Sequence, residues 1–540
     1  MNYDYIVIGA GSAGAVVATR LSEDPTTSVL LLEGGSDYPK FETLPVDVKY
    51  GYSTGTDLAV GDEHDWGYTA TVNEYMPQQG ENVPAQAARE IRMPRGKLTG
   101  GTSSINGQIF LRGLSHDFDL WADMGLEGWD YESVLPYFRK LETDLDFGGD
   151  FHGKDGPILA HRFPEEQWAA PQKAFHSAAL NLGYPTMADM NLPDAHGVGP
   201  FPCNNHNGIR MSTALGYLSQ ARHRLNLTIR PNCNVHDLII EGNLVSGVRV
   251  TSGGKNFIVN SETVILSAGA LANPRILMLS GIGPKNHLSE VGIPSHIDLP
   301  GVGQNLSDHP QNFVHASVIN RGELDSAAPR LQVALRYTAT GSTFRDDMLM
   351  WMGSYAVEGD YRDLLPPNKL RSITTPVITG IQITISLYLA TSKGTVRLRS
   401  SNPEEMPSIS LNLLKTEADI VRMADGVHLA CDIMDSHQLS TIVKERTSPA
   451  DELLSDDKAF HRWLKETTTT GNHLTSTCAM GPDSNPLAVV DSRFKVWGLD
   501  NLYIADASIM PDCVRANTNV TTMMVGERLA ENLSSSSNLR

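Results

Sequence analysis

The chain opens with a pattern of apolar positions typical of a strand, a helix and a second strand. Residues 5–8 form an apolar run that ends in glycines, residues 13–21 have helical spacing, and residues 29–32 are again apolar throughout. Strands that are buried on both faces of a parallel sheet lack polar positions, as these two runs do. The pattern predicts a βαβ unit of about 30 residues at the start of the chain.

Later apolar runs predict the rest of the framework. Strands are predicted at residues 227–230, 235–240, 245–250, 257–259, 264–270, 382–389, 395–399 and 502–505. Helices are predicted at residues 115–141, 274–280, 418–434, 457–466 and 519–533. The mixture of strands and helices between residues 315 and 465 indicates a second domain built on a sheet.

Three segments have no clear hydrophobic period. The polar, turn-rich residues 57–88 are interpreted as a long excursion over a ligand. Residues 92–113 are rich in glycine and serine, so backbone conformation matters more there than side-chain packing. The serines from Ser534 onward are predicted to begin a disordered tail.

Charge then narrows the class of protein. Among 540 residues, 43 are Lys or Arg and 62 are Asp or Glu, which gives a net charge of −19. A chain this acidic repels phosphate backbones and anionic lipids, so neither nucleic acid nor a membrane is expected as a partner. No apolar run approaches the roughly 18 residues that would span a bilayer.

Cysteine usage and the N-terminus favour a cytoplasmic protein. The scattered cysteines contain no Cys-x-x-Cys pair, which argues against a disulfide framework or a zinc site, and no metal is predicted. They are Cys203, Cys233, Cys431, Cys478 and Cys513. The first residues lack the basic segment of a secretory signal, so none is expected.

A dinucleotide-binding motif lies in the predicted βαβ unit. Residues 9–14, Gly-Ala-Gly-Ser-Ala-Gly, form a GxGxxG between strand and helix, and Glu33 ends the second strand. The glycines allow a tight turn, close approach to a pyrophosphate and close helix packing, and the acidic residue can accept a ribose hydroxyl. Glu33 argues against NADP but does not separate NAD from FAD. The motif's position at the start of the chain favours FAD.

Further segments carry a family resemblance. Residues 93–107, Met-Pro-Arg-Gly-Lys-Leu-Thr-Gly-Gly-Thr-Ser-Ser-Ile-Asn-Gly, resemble the first signature of the glucose–methanol–choline (GMC) oxidoreductases. Residues 267–284 resemble the second signature, and residues 473–481, 506–508 and 517–519 resemble the catalytic end. The resemblance covers essentially the whole chain.

The resemblance implies an α/β fold of the GMC type, with a Rossmann-like FAD-binding domain and an inserted α+β substrate domain of sheet and helices. The FAD-binding domain would comprise residues 1–158, 199–308 and 467–540. The substrate domain would comprise residues 159–198 and 309–466. The implied activity is oxidation of an alcohol by hydride transfer to FAD.

The resemblance also assigns cofactor contacts. They are Gly9, Gly11, Ser12, Ala13, Gly14, Glu33, Trp66, Arg95, Gly100, Gly101, Thr102, Asn106, Gly107, Val235, Ala268, Asn472, Asp506, Ala507 and Asn519. Val235 would contact the adenine through its backbone, and Trp66 belongs to the excursion, although simple core packing is its alternative. Some relatives join the flavin covalently to a histidine at the position that Ile105 occupies here. The FAD is therefore expected to be non-covalent.

His473 and Asn517 align with the catalytic pair of the family. A neutral imidazole suits removal of a hydroxyl proton as the C–H bond breaks, whereas an amide cannot take a proton. His473 is thus the predicted base, and Asn517 would orient the alcohol oxygen and stabilise a developing alkoxide. Asn517 would also suit the N-cap of the final helix, whose positive end would lie near the flavin.

Two residues bear on the choice of alcohol. Choline-oxidising relatives have a glutamate after an Asp-His-Pro triplet, where this chain has Gln311, and a histidine at a position that falls on Trp351. A neutral amide offers a cation no charge, so a neutral primary alcohol, with aromatic alcohols among the candidates, is favoured over choline. Trp351 could equally be core, and His309 within the triplet is interpreted as structural.

Alternatives stay open at this stage. Hydroxynitrile lyases share the fold and keep FAD without redox turnover, so a lyase is the other functional class. The electron acceptor, oxygen or a dye or quinone, is not determined by the sequence, and neither is the formation of a homo-oligomer.

Overall fold

The computed structural model describes residues 2–51, 62–73, 89–325, 328–357 and 378–537. Most of the predicted excursion at residues 57–88 therefore lies outside the described residues. The helices are α1 (Gly14–Leu21), α2 (Val46–Lys49), α3 (Ser115–Asp123), α4 (Tyr131–Leu141), α5 (Ala170–Asn181), α6 (Ser219–Ala221), α7 (Gly269–Leu279), α8 (Lys285–Glu290), α9 (Glu417–Met434), α10 (Asp451–Leu454), α11 (Asp457–Thr467) and α12 (Thr518–Ser537).

The strands form two large sheets and several small ones. They are β1 (Asn2–Ile8), β2 (Val29–Leu32), β3 (Tyr68–Thr71), β4 (Glu90–Met93), β5 (Glu142–Asp144), β6 (Ile158–Ala160), β7 (Gly197–Pro200), β8 (Leu227–Arg230), β9 (Asn234–Glu241), β10 (Leu244–Ser252), β11 (Lys255–Leu266), β12 (Ile282–Gly283), β13 (Ile297–Asp298), β14 (Pro310–Val318), β15 (Val333–Tyr337), β16 (Met348–Val357), β17 (Ile378–Leu387), β18 (Thr395–Arg397), β19 (Ser408–Ser410), β20 (Val443–Ser448), β21 (Thr469–Thr470) and β22 (Leu502–Ile504).

The first sheet is the nucleotide-binding half of the fold. Its strand order is β8-β2-β1-β11-β10-β9, and β22 pairs with β11 on a side branch. The pairs β8–β2, β2–β1, β1–β11 and β11–β22 are parallel, whereas β10 and β9 extend the sheet antiparallel. The carboxyl ends of the parallel strands therefore meet at one edge, which is where ligands bind in such sheets.

The second sheet is antiparallel and contains strands from distant parts of the chain. Its order is β20-β14-β17-β16-β15-β7, with β21 paired to β14. One face packs against α9 and α5; an added Cβ on Gly426 of α9 would contact Ile385 and Met348 of that face. The residues in between point to the opposite face, because side chains alternate along a strand. The α/β architecture predicted for the chain, with its second sheet, is confirmed.

Three elements differ from their prediction. Residues 257–259 and 264–270 were predicted as separate strands, but β11 is continuous, because its first half pairs with β10 and its second half with β1 and β22. The predicted helix at 115–141 is split into α3 and α4, since Gly125 and Gly128 take φ of 93° and 75° between them. The predicted tail from Ser534 is wrong, because α12 continues to Ser537.

The helix α7 begins at Gly269, before Pro274, although the proline was predicted to start it. A proline inside a helix leaves the carbonyl four residues earlier without a donor. The Thr477 hydroxyl donates to that carbonyl, of Ala270, at 2.7 Å. At the helix start, the Asp506 carboxylate accepts the Gly269 N–H at 2.6 Å. Side chains from the last quarter of the chain thus make this helix possible.

A buried group of acidic residues near β5 and β6 is an ion-pair network. His152 lies 3.1 Å from the Glu142 and Asp144 carboxylates and 2.7 Å from Asp189. Burial alone would lower its pKa, but these carboxylates raise the pKa to about 10. Arg112 pairs with Glu142, and Arg162 with Asp144 and Asp189. Three cations therefore balance three carboxylates, and the group needs no metal for neutrality.

The helices within the described ranges do not include a membrane span. None combines the length and the apolar character that a bilayer span requires.

Candidate active site

A cavity of about 500 Å³ lies between the two large sheets. At one end are residues that follow the parallel strands, among them Gly9 after β1 and Glu33 after β2. At the other end are Phe313 of β14 and Trp351 of β16. The cavity therefore extends from the nucleotide motif to the second sheet.

The glycine motif has the geometry that a dinucleotide requires. Gly9 has φ of 96°, which only glycine adopts readily, and an added Cβ on Gly14 would lie 1.9 Å from the Gly9 carbonyl. At Gly11, the nearest atom to an added Cβ is 4.0 Å away, in Gly101. Gly9 therefore makes the turn, Gly14 lets helix and strand pack, and Gly11 leaves the cavity open for a phosphate.

Glu33 is held at the base of this end of the cavity. Its carboxylate accepts the N–H groups of Ala10 at 2.9 Å and Gly35 at 2.8 Å. Burial raises the pKa of Glu33 to about 7, against the lowering effect of these bonds. A buried carboxylate fixed by two amides can accept hydroxyls from a ribose diol, which would supply further compensation for its burial.

The glycine-rich segment 100–107 follows the cavity from one end toward the other. Gly101, whose φ is 51°, lies against Gly11, so the segment starts beside the nucleotide motif. Thr102, Asn106 and Gly107 line the cavity farther along. Its small residues bring backbone N–H groups close to any ligand that fills the space.

The far end of the cavity is formed by one face of the second sheet. Strand register places Phe313, Thr384, Trp351 and Ala334 in one row across four neighbouring strands. Flanking rows contain Gln311 opposite Ser386, and Gln382 opposite Gly353. Phe201 packs on Trp351 with ring centroids 6.0 Å apart. This end is an aromatic wall edged by uncharged amides, and Arg330 is on the same lining.

His473 and Asn517 meet at the wall of the cavity. The Asn517 amide nitrogen lies 2.9 Å from Nε2 of His473, and both residues line the space. The other ring nitrogen, Nδ1, lies 3.0 Å from Nδ1 of His309. Burial, and then the charge of Arg95, lower the pKa of His473 to about 3. The imidazole is therefore neutral at physiological pH.

Asp308 fixes the backbone around this pair. One carboxylate oxygen accepts the N–H groups of His309 at 2.8 Å and His473 at 2.9 Å. The other accepts the Thr470 hydroxyl in a short hydrogen bond. The two histidines are 164 residues apart in the chain, so this one buried carboxylate joins their segments.

Nearly all predicted site residues lie along this one cavity. Of the predicted cofactor and substrate positions, Gly14 and Gly100 are not on its lining, since Gly14 packs against Gly9 and Gly100 donates to the Ala10 carbonyl. Ser12 and Asn519 bond each other at 2.7 Å. Asp506 reaches the cavity mainly as the cap of α7 described above.

Several residues of the cavity were not singled out from the sequence. Phe313 and Gln382 are reached only through strand register, and Phe201 through a loop after β7. His309 was interpreted as structural, and its ring contacts that of His473 directly. Its place within the Asp-His-Pro triplet, two residues before Gln311, was the available signal.

Unpartnered polar atoms test whether a cofactor and substrate fit. Among the described residues, the Asn517 side-chain oxygen and Nε of Arg275 are buried without a hydrogen-bond partner, and both residues line the cavity. Buried polar atoms are normally satisfied, so their partners belong to a bound group. The open Gly11, the fixed Glu33 and these atoms fit FAD at one end and an alcohol at the other.

Comparison with known proteins also indicates a protein that binds FAD and oxidises alcohols. The family profile described as GMC oxidoreductase matches residues 3–311, and its C-terminal counterpart matches residues 390–526. The chain is 34% identical to the oxygen-dependent choline dehydrogenase of Staphylococcus xylosus, over 98% of this chain and 94% of that protein. It is also 34% identical to the mitochondrial choline dehydrogenase of Mus musculus, over 98% and 89%.

A solved structure extends the likeness to three dimensions. Pyridoxine 4-oxidase from Mesorbium loti superposes with a TM-score of 0.86 at 26% identity, over 99% of both chains. The two halves of the family profile, the full-length relatives and this superposition agree with the cavity's composition. The chain belongs to the glucose–methanol–choline family and is an FAD-dependent oxidoreductase that acts on CH–OH groups.

Proposed function

We propose that the protein oxidises a neutral primary alcohol to its aldehyde, with His473 as the base that takes the hydroxyl proton. The observation that supports this most is the contact of His473 Nε2 with the Asn517 amide on the cavity wall. Bound FAD supplies the hydride acceptor.

The hydrogen bonds around His473 select the tautomer that a base needs. The Asn517 amide donates to Nε2, so Nε2 carries the lone pair and Nδ1 carries the hydrogen. The Nδ1–H then donates to Nδ1 of His309, which places the hydrogen of His309 on its own Nε2. That Nε2 is buried beside the main chain of Val514, without a well-formed hydrogen bond. Both imidazoles are thereby neutral, with the lone pair of His473 facing the cavity.

Charges in the wall support this state. Burial and then the neighbouring His473 hold the pKa of His309 well below its ordinary value, so His309 does not compete as a cation. Arg95, whose guanidinium bonds the Asn472 carbonyl at 3.2 Å, adds positive charge beside the pair. A positive environment keeps the imidazole neutral and favours an alkoxide, which assists proton removal from a hydroxyl, while the low pKa of the imidazole makes it a weaker proton acceptor.

Asn517 has two uses in this scheme. Its amide N–H marks the position where negative charge develops on the alcohol oxygen, and its unpartnered oxygen can accept from the substrate. The residue stands directly before α12, so its backbone lies at the positive end of a 20-residue helix. Donors that are fixed before the reaction stabilise developing charge without reorganisation.

The far end of the cavity favours an uncharged substrate. In the described part of the chain, no carboxylate lines the stretch around Gln311, Phe313 and Trp351. A quaternary ammonium buried there would lose its water without gaining an ion pair. An aromatic ring would stack on Trp351 or Phe313 and bond Gln311 or Gln382 through a ring substituent. Although two of the relatives compared are named choline dehydrogenases, we therefore propose an aromatic primary alcohol.

A panel of alcohols under anaerobic conditions tests the proposal. Aromatic primary alcohols should bleach the oxidised flavin, whereas choline should bleach it at least about tenfold more slowly, since its charge is unpaired. The variant Gln311→Glu should narrow or reverse this preference by supplying a carboxylate. Faster bleaching by choline than by every aromatic alcohol in the native enzyme would refute the substrate class. A flavin that no alcohol bleaches would refute alcohol oxidation. Repeating the panel with oxygen and with a dye identifies the acceptor.

We also propose that the FAD is bound non-covalently. Ile105, at the position of the histidine that some relatives use for attachment, is 2% exposed and packs with Leu44, Val48 and Leu98. An isoleucine offers no nucleophile for a covalent bond. Acid precipitation of the holoenzyme should leave FAD in the supernatant, measured by its absorbance. Yellow colour retained in the precipitate would show covalent attachment.

The division into an FAD-binding domain of residues 1–158, 199–308 and 467–540 and a substrate domain of residues 159–198 and 309–466 remains part of this proposal. The second sheet also includes β7 and β21, from segments assigned to or bordering the first domain. Strands thus cross the proposed boundary at the edge of the cavity.

A further inference from the structure

Most fully buried arginines of the protein have a carboxylate partner. In the described residues, Arg112 pairs with Glu142, Arg162 with Asp144 and Asp189, Arg422 with Asp347 and Asp419, and Arg515 with Asp117. A buried cation without such a partner is costly, because water no longer solvates it. An exception to this pattern therefore calls for a physical reason.

Among the described residues Arg210 is one of two such exceptions; the other, Arg336, bonds the carbonyls of Met190 and Arg515. Arg210 is 0% exposed, and its guanidinium bonds backbone carbonyls instead of a carboxylate. Nε donates to the carbonyl of Asn106 at 3.1 Å, and Nη1 donates to the carbonyls of Ser104 at 3.1 Å, Val48 at 3.0 Å and Asp47 at 2.5 Å. Nη2 is buried without a hydrogen-bond partner among the described residues. Carbonyl dipoles solvate this charge but do not cancel it.

The charge persists at physiological pH. Burial lowers the pKa of Arg210 to about 10, with the nearby Asp47 opposing the shift, so the guanidinium stays protonated. Asp47 is half-buried, and its side chain accepts its neighbour's N–H at 3.1 Å. The cation is thus only weakly screened by this carboxylate.

Arg210 lies directly behind the cavity wall at residues 104–106. Two of its four carbonyl acceptors belong to the 104–106 backbone, whose residues Ile105 and Asn106 line the cavity. The guanidinium therefore lies behind the wall that the cofactor faces, separated from it by one layer of backbone. In a buried setting a unit charge acts over several ångströms with far less screening than in water.

We infer that Arg210 is a positioning residue whose unneutralised charge favours the reduced state of the bound flavin. When the C–H bond of the alcohol breaks, one hydrogen and two electrons pass to the FAD, and the hydroxyl proton passes to a base. The transfer adds one negative charge to the cofactor. A fixed cation behind the wall stabilises that added charge and so makes hydride transfer more favourable. The inference rests on FAD as the acceptor, not on the identity of the alcohol or of the base.

The reduction equilibrium of the holoenzyme's flavin tests this inference. Arg210→Met removes the charge at similar length, and Arg210→Lys keeps it. Titration against a reference dye should show the Met variant shifted toward oxidised flavin by at least about tenfold, which is about 30 mV for a two-electron couple. In the Lys variant, the equilibrium between oxidised and reduced flavin should shift by less than about threefold. An unshifted equilibrium in an FAD-loaded Met variant, or equal shifts in both, would overturn the inference.

A second variant covers the case in which Arg210→Met does not fold. Asp47→Asn keeps the shape of a half-buried side chain and removes the carboxylate that screens Arg210. Its flavin should become easier to reduce, by about twofold, opposite in sign to the Met variant. A shift toward oxidised flavin, or none, would count against the field of Arg210. FAD content, measured for each variant, separates a changed equilibrium from a merely structural loss of cofactor.

Discussion

Replacing Asn517 with alanine is expected to slow anaerobic flavin reduction by about 10²- to 10³-fold, the loss typical of one fixed donor to a developing oxyanion. The amide N–H now donates to His473 Nε2 at 2.9 Å, so the variant removes both the donor for the alkoxide and the group that selects the tautomer. Rapid mixing of holoenzyme and alcohol without oxygen measures the rate. FAD should remain bound, because the other cofactor contacts are untouched.

Two controls separate this role from a general disturbance. Asn517→Asp has the same shape but replaces the donor with an acceptor, which would draw the imidazole hydrogen to Nε2 and should slow reduction at least as much. Asn243→Ala removes an exposed asparagine that bonds Asp500 far along the chain and should leave the rate unchanged. A rate for Asn517→Ala within threefold of native would exclude the proposed role.

The variant His473→Ala is expected to have the larger effect. A positioned base typically contributes about 10²- to 10⁴-fold. The other histidine on the described lining of the cavity, His236 of β9, lies beside Val235 at the nucleotide end and hydrogen-bonds the Thr251 hydroxyl. His309 contacts His473 but packs its ring on Tyr388 with centroids 4.1 Å apart, so it lies behind the base. The variant should still bind FAD and show an oxidised flavin spectrum, while alcohol reduces it slowly.

His315 provides a matched control for this variant. It lies on β14, on the same face of the sheet as Phe313, and burial lowers its pKa to about 4, so its imidazole is also neutral. It is not part of the contact between His473 and Asn517. With saturating alcohol, the flavin of His315→Ala should be reduced at close to the native rate, because this imidazole takes no part in proton transfer. A similar loss in both variants would mean that removal of any buried imidazole disturbs the sheet, and that the loss at residue 473 says nothing about proton transfer.

Local patterns predicted the fold well where neighbouring residues decide it. The βαβ unit was predictable because its strands, turn and helix lie within 32 residues and their sterics are local. The long strand β11 was not, since its polar residues 260–262 look like a break when its partners are unknown. Ser261 donates its hydroxyl to nearby carbonyls, which satisfies one of these polar groups within the sheet.

Some residues of the candidate site were likewise predictable from the sequence, and others were not. The glycine motif and Glu33 were predictable from spacing, and family resemblance supplied His473 and Asn517. The contact between His309 and His473 joins positions 164 residues apart and depends on how Asp308 links two segments. The charge of Arg210 was equally hidden, because sequence does not show which arginines lack a carboxylate in the folded chain.

The role of His473 as base predicts how the rate of flavin reduction changes with pH. A base acts in its neutral form, so activity is lost only as pH falls through the pKa of the folded enzyme. For an ordinary histidine that loss begins near 6.5. Burial and Arg95 lower the pKa of His473 to about 3, so the rate of native flavin reduction should be constant across the neutral range and below it.

The most direct test is the anaerobic rate of flavin reduction in native and His473→Ala holoenzymes, compared from about pH 5 to pH 8. The role of His473 as base predicts a native rate without a step near pH 6.5 and a variant at least about 100-fold slower with its FAD in place. A variant that keeps its FAD and reduces it within threefold of the native rate would contradict it.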